Sequence, residues 1–164
     1  MERRKTSRKT WALDLGANAT PKGVRFKVWA PRASSLSLRV VGESNDLPMI
    51  PGKSGFYTLF VKGLVPGARY LYLLDGEYAR PDPVSRFQPE GVHGPSEVID
   101  PNTFLWKDQG WKGMPLEEMI IYEIHTGAFT REGSFEATIP YLDYLKNDLG
   151  VTAIELMPVA QFPG

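Results

Sequence analysis

The chain has 164 residues, 42% of them hydrophobic, with a formal net charge of +0 and no cysteine. That length holds one or two domains, and the balanced charge gives no global attraction to nucleic acid or to acidic membranes. Without thiols there are no disulfides or thiolate metal sites, which favours a cytoplasmic setting.

The first ten residues, MERRKTSRKT, carry Arg3, Arg4, Lys5, Arg8 and Lys9 around no apolar core. Residues 1–10 therefore read as a disordered basic tail and not as a secretory signal. No aromatic residues interleave with the charges, so a nucleic-acid arm lacks its stacking surfaces. No stretch of the chain reaches the roughly 18 apolar residues of a membrane span. The two histidines, His93 and His125, are too distant in sequence for an HExxH-type metal motif. No metal and no cofactor are expected.

From Trp11 to Asp82 the pattern is that of β-structure. Val24, Phe26 and Val28 alternate with Arg25 and Lys27, which predicts a half-buried strand ending at Ala30-Pro31. Trp29, at the end of that strand, is expected in the core. Leu36, Leu38 and Val40 alternate with Ser35, Ser37 and Arg39 in a second strand. Asn45-Asp46 marks a turn, and LPMI, residues 47–50, reads as a short third strand. FYTLFV, residues 56–61, gives a fourth, with Phe56, Thr58 and Phe60 on one face and Tyr57, Leu59 and Val61 on the other. Pro66-Gly67 makes a turn. ARYLYLLDG follows as a fifth strand, and Asp75-Gly76 is a hairpin signal into EYAR. Short strands at intervals of about 8–12 residues, with no helical stretch between them, predict an all-β, immunoglobulin-like sandwich over residues 11–95. Its Cys–Trp–Cys hallmark is absent, so core packing alone must hold it.

Residues 96–115 read as a connector. They belong to a stretch that changes character from Pro81 to about Pro115, where Pro81, Pro83, Pro89, Pro95 and Pro101 fall in an otherwise polar run, a density that neither a helix nor a central strand tolerates. Val98, Ile99, Phe104, Trp106 and Trp111 supply apolar anchors, and His93 lies in a turn, Gly91-Val92-His93-Gly94.

Residues 116–164 change character again. Ile120, Ile121, Tyr122, Ile124 and Thr126 suit a buried strand closed by Gly127. Ser134 is an N-cap candidate. Ile139, Leu142, Leu145 and Leu149 recur at helical spacing, with Pro140 near the first turn and Gly150 just past the end. Val151, Ala153, Ile154, Leu156 and Met157 form a second strand that Pro158 stops. Two strands joined by a helix are parallel, with a right-handed crossover. Both strands read as buried on both faces, so they call for further strands beside them, and the sequence reads as the front end of a larger protein.

Several stretches resemble a known family. VRFKVWAPRASSLSLRV resembles the opening strands of the N-terminal sandwich of glycogen-branching, isoamylase-type debranching and trehalose-releasing enzymes. RPDPVSRFQPEGVHGPSEVIDP is similar to the connector of the maltooligosyltrehalose trehalohydrolases, a branch of the α-amylase superfamily (glycoside hydrolase family 13). IIYEIHTGAFT and FEATIPYLDYLKNDLGVTAIELMPVAQFPG resemble strand one, helix one and strand two of that family's (β/α)8 barrel. The resemblance implies an immunoglobulin-like sandwich followed by the first β-α-β of a TIM barrel, incomplete within residues 116–164. It also implies a substrate, a maltooligosaccharide ending in a trehalose unit, and a retaining hydrolysis that releases trehalose using two carboxyl groups about 5–5.5 Å apart.

A barrel of this kind takes about 250 residues, and the superfamily draws its reacting carboxylates from strands four, five and seven. None of those strands lies in this sequence, so no catalytic residue is assigned here, and the chain by itself is expected to be inactive. Glu123 and Glu155 lie within predicted strands and are assigned no catalytic role. Barrel sites form at the C-terminal ends of the strands, so His125, Gln161 and Phe162 are the substrate-binding candidates. Phe129 is expected to pack at the rim. Two alternatives stand beside the trehalohydrolase reading: an α-glucan branching or debranching enzyme, and a stand-alone, non-catalytic α-glucan-binding module.

Overall fold

The computed structural model describes residues 14–160. The basic tail, Trp11, Gln161 and Phe162 lie outside the described residues. The chain forms two compact units, one ending at Phe104 and the other beginning at Leu105.

The first unit is a sandwich of two antiparallel sheets. In one sheet, β1 (Gly16–Thr20), β2 (Gly23–Trp29), β5 (Ile50–Pro51) and β6 (Phe56–Lys62) lie in the order β1-β2-β6-β5. In the other, β3 (Leu36–Val40), β4 (Leu47–Pro48), β7 (Arg69–Leu74) and β8 (Tyr78–Arg80) lie in the order β4-β3-β7-β8, and β9 (Ser96–Glu97) also pairs with β7. Alternate residues of each strand turn inward. Val24, Phe26 and Val28 of β2 meet Leu36, Leu38 and Val40 of β3 and Tyr70 and Tyr72 of β7 in one core. Phe26 and Tyr70 touch edge to face, ring centroids 4.9 Å apart.

Three features differ from the sequence expectation. Trp29 is not in the core; it is 57% exposed, and its indole N–H donates to the Ser54 carbonyl at 2.9 Å. The period of two that buries Val24, Phe26 and Val28 carries Trp29 to the outward face. LPMI is not one strand, because Leu47 pairs with β3 while Ile50 pairs with β6. The segment crosses between sheets at the buried Met49, and Pro48 and Pro51, lacking N–H groups, limit each pairing to two residues. Strand β1 carries small residues, of which Ala17 reaches the core, so no hydrophobic alternation announces it.

The Asp75-Gly76 turn takes positive φ at both residues, 54° and 73°, as a type I′ hairpin requires. The Asp75 carboxylate accepts the backbone N–H groups of Ser34 and Ser35 at 2.8 and 2.9 Å, tying the hairpin to the start of β3. Gly91 to Gly94 forms the turn expected around His93, with the Gly94 N–H on the Gly91 carbonyl at 2.9 Å. Strand β9 lies just beyond residue 95 and Val98 is fully buried, so the sandwich takes in the first residues of the stretch read as connector. Trp106 and Trp111 stay 65% and 73% exposed, since no strand or helix forms between Phe104 and Leu116 to cover them.

The second unit is a β-α-β piece. It runs β10 (Ile121–His125), α1 (Thr126–Phe129), α2 (Phe135–Thr138), a 3₁₀ turn (Ile139–Tyr141), α3 (Leu142–Asn147) and β11 (Ala153–Met157). The strands are parallel, with Ile121 opposite Ala153 and His125 opposite Met157. Gly127 does not close β10 directly, because the chain enters a helical turn at Thr126. Ser134 caps α2 by accepting the Ala137 N–H at 3.2 Å. Pro140, which has no N–H, falls where the helix tightens into its 3₁₀ turn. Gly150, at φ 71°, lets the Val151 N–H return to the Leu145 carbonyl at 2.9 Å, a Schellman-type end.

Ile124, Leu145 and Val151 form a small core with Phe129 packed against it. Phe129 stands edge to face with Tyr122 and Tyr141, centroids 6.3 and 5.3 Å away. The strands are not buried on both faces. Ile121 is 53% exposed, and Ile154 and Leu156 are half-exposed. A pair of strands with helices on one side leaves its other face and both edges uncovered.

Candidate functional site

His125 is the last residue of β10 and its side chain is exposed. It borders a hollow of about 380 Å³ with Thr126, Ser134, Phe135 and Pro158, at the C-terminal end of the parallel pair. The Thr126 hydroxyl there is buried with no hydrogen-bond partner. Of the three substrate-binding candidates, the structure therefore positions His125; Gln161 and Phe162 lie outside the described residues.

Glu123 and Glu155 are directly opposite each other in the β10–β11 register, in mid-strand and exposed. They stand away from the C-terminal strand ends where a barrel would build its chemistry. Among the described residues, no group of three or more His, Asp or Glu side chains gathers as for a metal ion. No helix formed by them is long and apolar enough to cross a membrane.

In the sandwich, Asp82 is the buried carboxylate among the described residues, at 3% exposure. Its Oδ2 accepts the hydroxyls of Tyr70 and Tyr72 at 2.7 and 3.2 Å, and its Oδ1 accepts the Val84 N–H at 2.9 Å. The Asp82 N–H in turn donates to the Ser96 hydroxyl at 3.0 Å. Burial, and then the Asp82 charge, push both phenols well above the usual tyrosine range. This cluster is structural: it pins the proline-rich segment onto β7.

A second concave region lies on the sandwich. A cleft of about 730 Å³ is bounded by β1 on one side and by Ile99, Pro101 and Asn102 on the other, with Phe60 and Arg25 on the adjoining sheet surface. The antiparallel register sets Arg25 of β2 beside Phe60 of β6. Phe60 is 50% exposed. Arg86 secures the β1 wall, donating to the carbonyls of Leu15 at 3.1 Å and Ala17 and to Asn18 Oδ1 at 3.2 Å. Sequence alternation put Phe60 on the face shared with Phe56 and Thr58, but pairing Phe60 with Arg25 needs the sheet register, which local pattern does not carry.

The family model for carbohydrate-binding module 48 (Isoamylase N-terminal domain) matches residues 14–102. The malto-oligosyltrehalose trehalohydrolase of Saccharolobus solfataricus is 44% identical over 152 residues, covering 93% of this chain and 27% of that protein. A 1,4-alpha-glucan branching enzyme of Xanthomonas campestris is 37% identical over 178 aligned residues, covering 91% of this chain and 24% of its own length. Among solved structures, a Salmonella typhimurium protein named as an alpha amylase superposes with TM-score 0.87 at 44% identity, over 94% of this chain and 26% of that one. The chain thus spans about a quarter of the length of the curated relatives it matches. The immunoglobulin-like sandwich expected from the sequence is the observed architecture, and it is followed by the expected parallel β-α-β piece. Since the family model matches more than half of its residues, the chain belongs to the family of carbohydrate-binding module 48, the isoamylase N-terminal domain.

Proposed function

We propose that this chain is the N-terminal part of a retaining α-glucan hydrolase of the maltooligosyltrehalose trehalohydrolase type, acting in the cytoplasm. The complete protein would cut the α-1,4 bond next to a terminal trehalose unit and release trehalose. The observation that carries this reading is that the likeness to the Saccharolobus trehalohydrolase runs through both units, sandwich and β-α-β piece alike. The exposed apolar side chains of β10 and β11 support it: Ile121 on the face away from the helices, and Ile154 and Leu156 on the helix side, are surfaces that further barrel strands and helices would cover.

On this reading residues 116–164 open the barrel, and His125, Gln161 and Phe162 line its substrate-facing end. The nucleophile and the acid/base belong to later strands, so the 164-residue chain alone is inactive.

The test is made on the native polypeptide, captured from its source cell with an antibody to the sandwich. A mass of roughly 40 kDa or more is expected for a sandwich plus a full barrel, together with trehalose release from maltooligosyltrehalose. New α-1,6 branches, or loss of existing ones, would assign the protein to branching or debranching. A mass near the 18.4 kDa of this sequence, without hydrolysis, would leave a non-catalytic glucan-binding module.

A further inference from the structure

We propose that Arg86 closes the free edge of β1, and that the partner it keeps out is the β1 strand of a second copy of this chain. The inference rests on backbone register and does not depend on the α-glucan reading.

Strand β1 is terminal in its sheet among the described residues. The hydrogen-bond register shows which of its backbone groups face the open side. At the two ends of the β2–β6 pairing, the Gly63 N–H donates to the Lys22 carbonyl at 3.0 Å and the Ala30 N–H to the Gly55 carbonyl at 2.9 Å. Antiparallel ladders bond at alternate residues. Val24, Phe26 and Val28 therefore turn their backbone groups to β6, and Gly23, Arg25 and Lys27 turn theirs to β1. The β1 partners of those three are Thr20, Asn18 and Gly16. By the same alternation Leu15, Ala17 and Ala19 direct their N–H and C=O groups away from the sheet.

Arg86 takes acceptors of this outward row. Its guanidinium donates to the Ala17 carbonyl, to the Leu15 carbonyl at 3.1 Å and to Asn18 Oδ1 at 3.2 Å. The two carbonyls are those that the N–H groups of a neighbouring strand would reach. The segment carrying Arg86 is fixed on both sides. The buried Asp82 accepts the Tyr70 hydroxyl at 2.7 Å, and the Ser85 N–H donates to the Asp82 carbonyl at 3.0 Å. Beyond Arg86, the Phe87 carbonyl accepts the Glu97 N–H of β9 at 2.9 Å. Val84 also lies against β1, since a Cβ built on Gly16 would come 3.1 Å from its side chain. Arg86 is thus held over the edge by the sandwich itself.

The outward row is self-complementary, which selects the second copy as the partner. About a two-fold axis at Ala17, the Ala17 N–H and C=O of each copy would bond those of the other, and Leu15 would meet Ala19. Gly16, Ala17 and Ala19 carry no bulk that would hold two such strands apart. An open edge of this kind is a template for pairing with another chain, and a charged side chain laid on it is one way that sheets prevent this.

The experiment is amide hydrogen exchange, resolved by residue, on the full 164-residue chain at low and high protein concentration. It compares wild type with Arg86→Ala, the double variant Arg86→Ala with Ala19→Pro, and Arg39→Ala, a control for the lost charge. In Arg86→Ala the Ala17 and Ala19 amides should gain roughly tenfold protection as concentration rises, by mass action. Asn18 and Arg25, which pair within one chain, should stay as protected as in wild type. Wild type and Arg39→Ala should show no gain. Proline at position 19 has no outward N–H and should abolish the gain in the double variant. Ala17 and Ala19 amides that stay unprotected in Arg86→Ala at high concentration would overturn the proposal. So would a gain already present in wild type, or one that survives Ala19→Pro. Loss of protection at Asn18 and Arg25 in Arg86→Ala would overturn it as well, because Arg86 would then be holding β1 to its own sheet and not closing its edge.

Discussion

Glu123 of β10 and Glu155 of β11 are Cα partners in a parallel pair, so two carboxylates stand side by side on the face that the helices do not cover. The neighbouring Ile124 points the other way, into the small core with Leu145 and Val151. Like charges directly opposite one another in a sheet are destabilising, by an amount in the range of about 0.2–1 kcal/mol for cross-strand pairs. Glu155→Gln should therefore raise the urea midpoint of the β-α-β unit. The gain should shrink at 1 M salt, where screening already weakens the repulsion. Residue-resolved amide signals of Ile121–His125 are local to that unit and would report the change; a lowered midpoint would contradict it.

Asp82 holds two buried phenols. Asp82→Ala should cost about 2–5 kcal/mol in urea unfolding, because the Tyr70 and Tyr72 hydroxyls lose their acceptor inside the core. Truncating Asp46, a half-buried carboxylate that pairs with Arg39 at the surface, should cost less than about 1 kcal/mol.

The same tyrosines set an alkaline limit. Their folded pKa values are raised above the ordinary 10.0, so the stability tied to their protonation is fully present below pH 10. Above that pH the unfolded chain releases phenolic protons that the folded chain keeps, and stability falls by about 1.4 kcal/mol per pH unit for each group. Unfolding free energy measured from pH 9 to 11.5 should drop with a limiting slope near 2.7 kcal/mol per unit, two groups' worth. Tyr72→Phe should halve that slope.

Gly23 opens β2 at φ 147°, and a Cβ built there would sit 2.2 Å from the Val61 carbonyl oxygen. The three nearest atoms all belong to the backbone of residues 61–63, so no flexible side chain can move aside. Gly23→Ala should cost more than about 2 kcal/mol and loosen the β2–β6 pairing, read as lost amide protection at Val24 and Val61. Gly42, which has open space around it, is a control for the effect of its positive φ alone.

Deleting residues 116–164 should leave the sandwich folded and more soluble. The segment exposes Leu116 at 73%, Ile121 at 53% and Ile139 at 62%, surfaces that favour association. Sedimentation and thermal melting check this: less self-association and a sandwich melting point changed by only a few degrees are expected. Unfolding of the sandwich on deletion would mean that the tail is part of its support.

The sequence by itself determined what is local. Alternation in VRFKVWA settled which residues of β2 face inward, and in FYTLFV it divided β6 into two faces, because side chains on a strand have period two; only the structure shows that Tyr57, Leu59 and Val61 are on the inward one. Asp75-Gly76 carried its type I′ turn, Ser134 its cap and Gly150 its helix end, since each depends on a few neighbouring backbone angles. The family resemblance was legible in the same short stretches. The expectation of a buried Trp29 departed from that period, which carries the residue to the outward face where it lies. Tertiary structure alone decided which distant residues meet. It split LPMI between two sheets, put Asp82 beneath Tyr70 and Tyr72, and set Arg25 beside Phe60 and Glu123 opposite Glu155. Those outcomes depend on strand order and register, which are set by the packing of the whole sandwich or strand pair and leave no mark in any single stretch of chain.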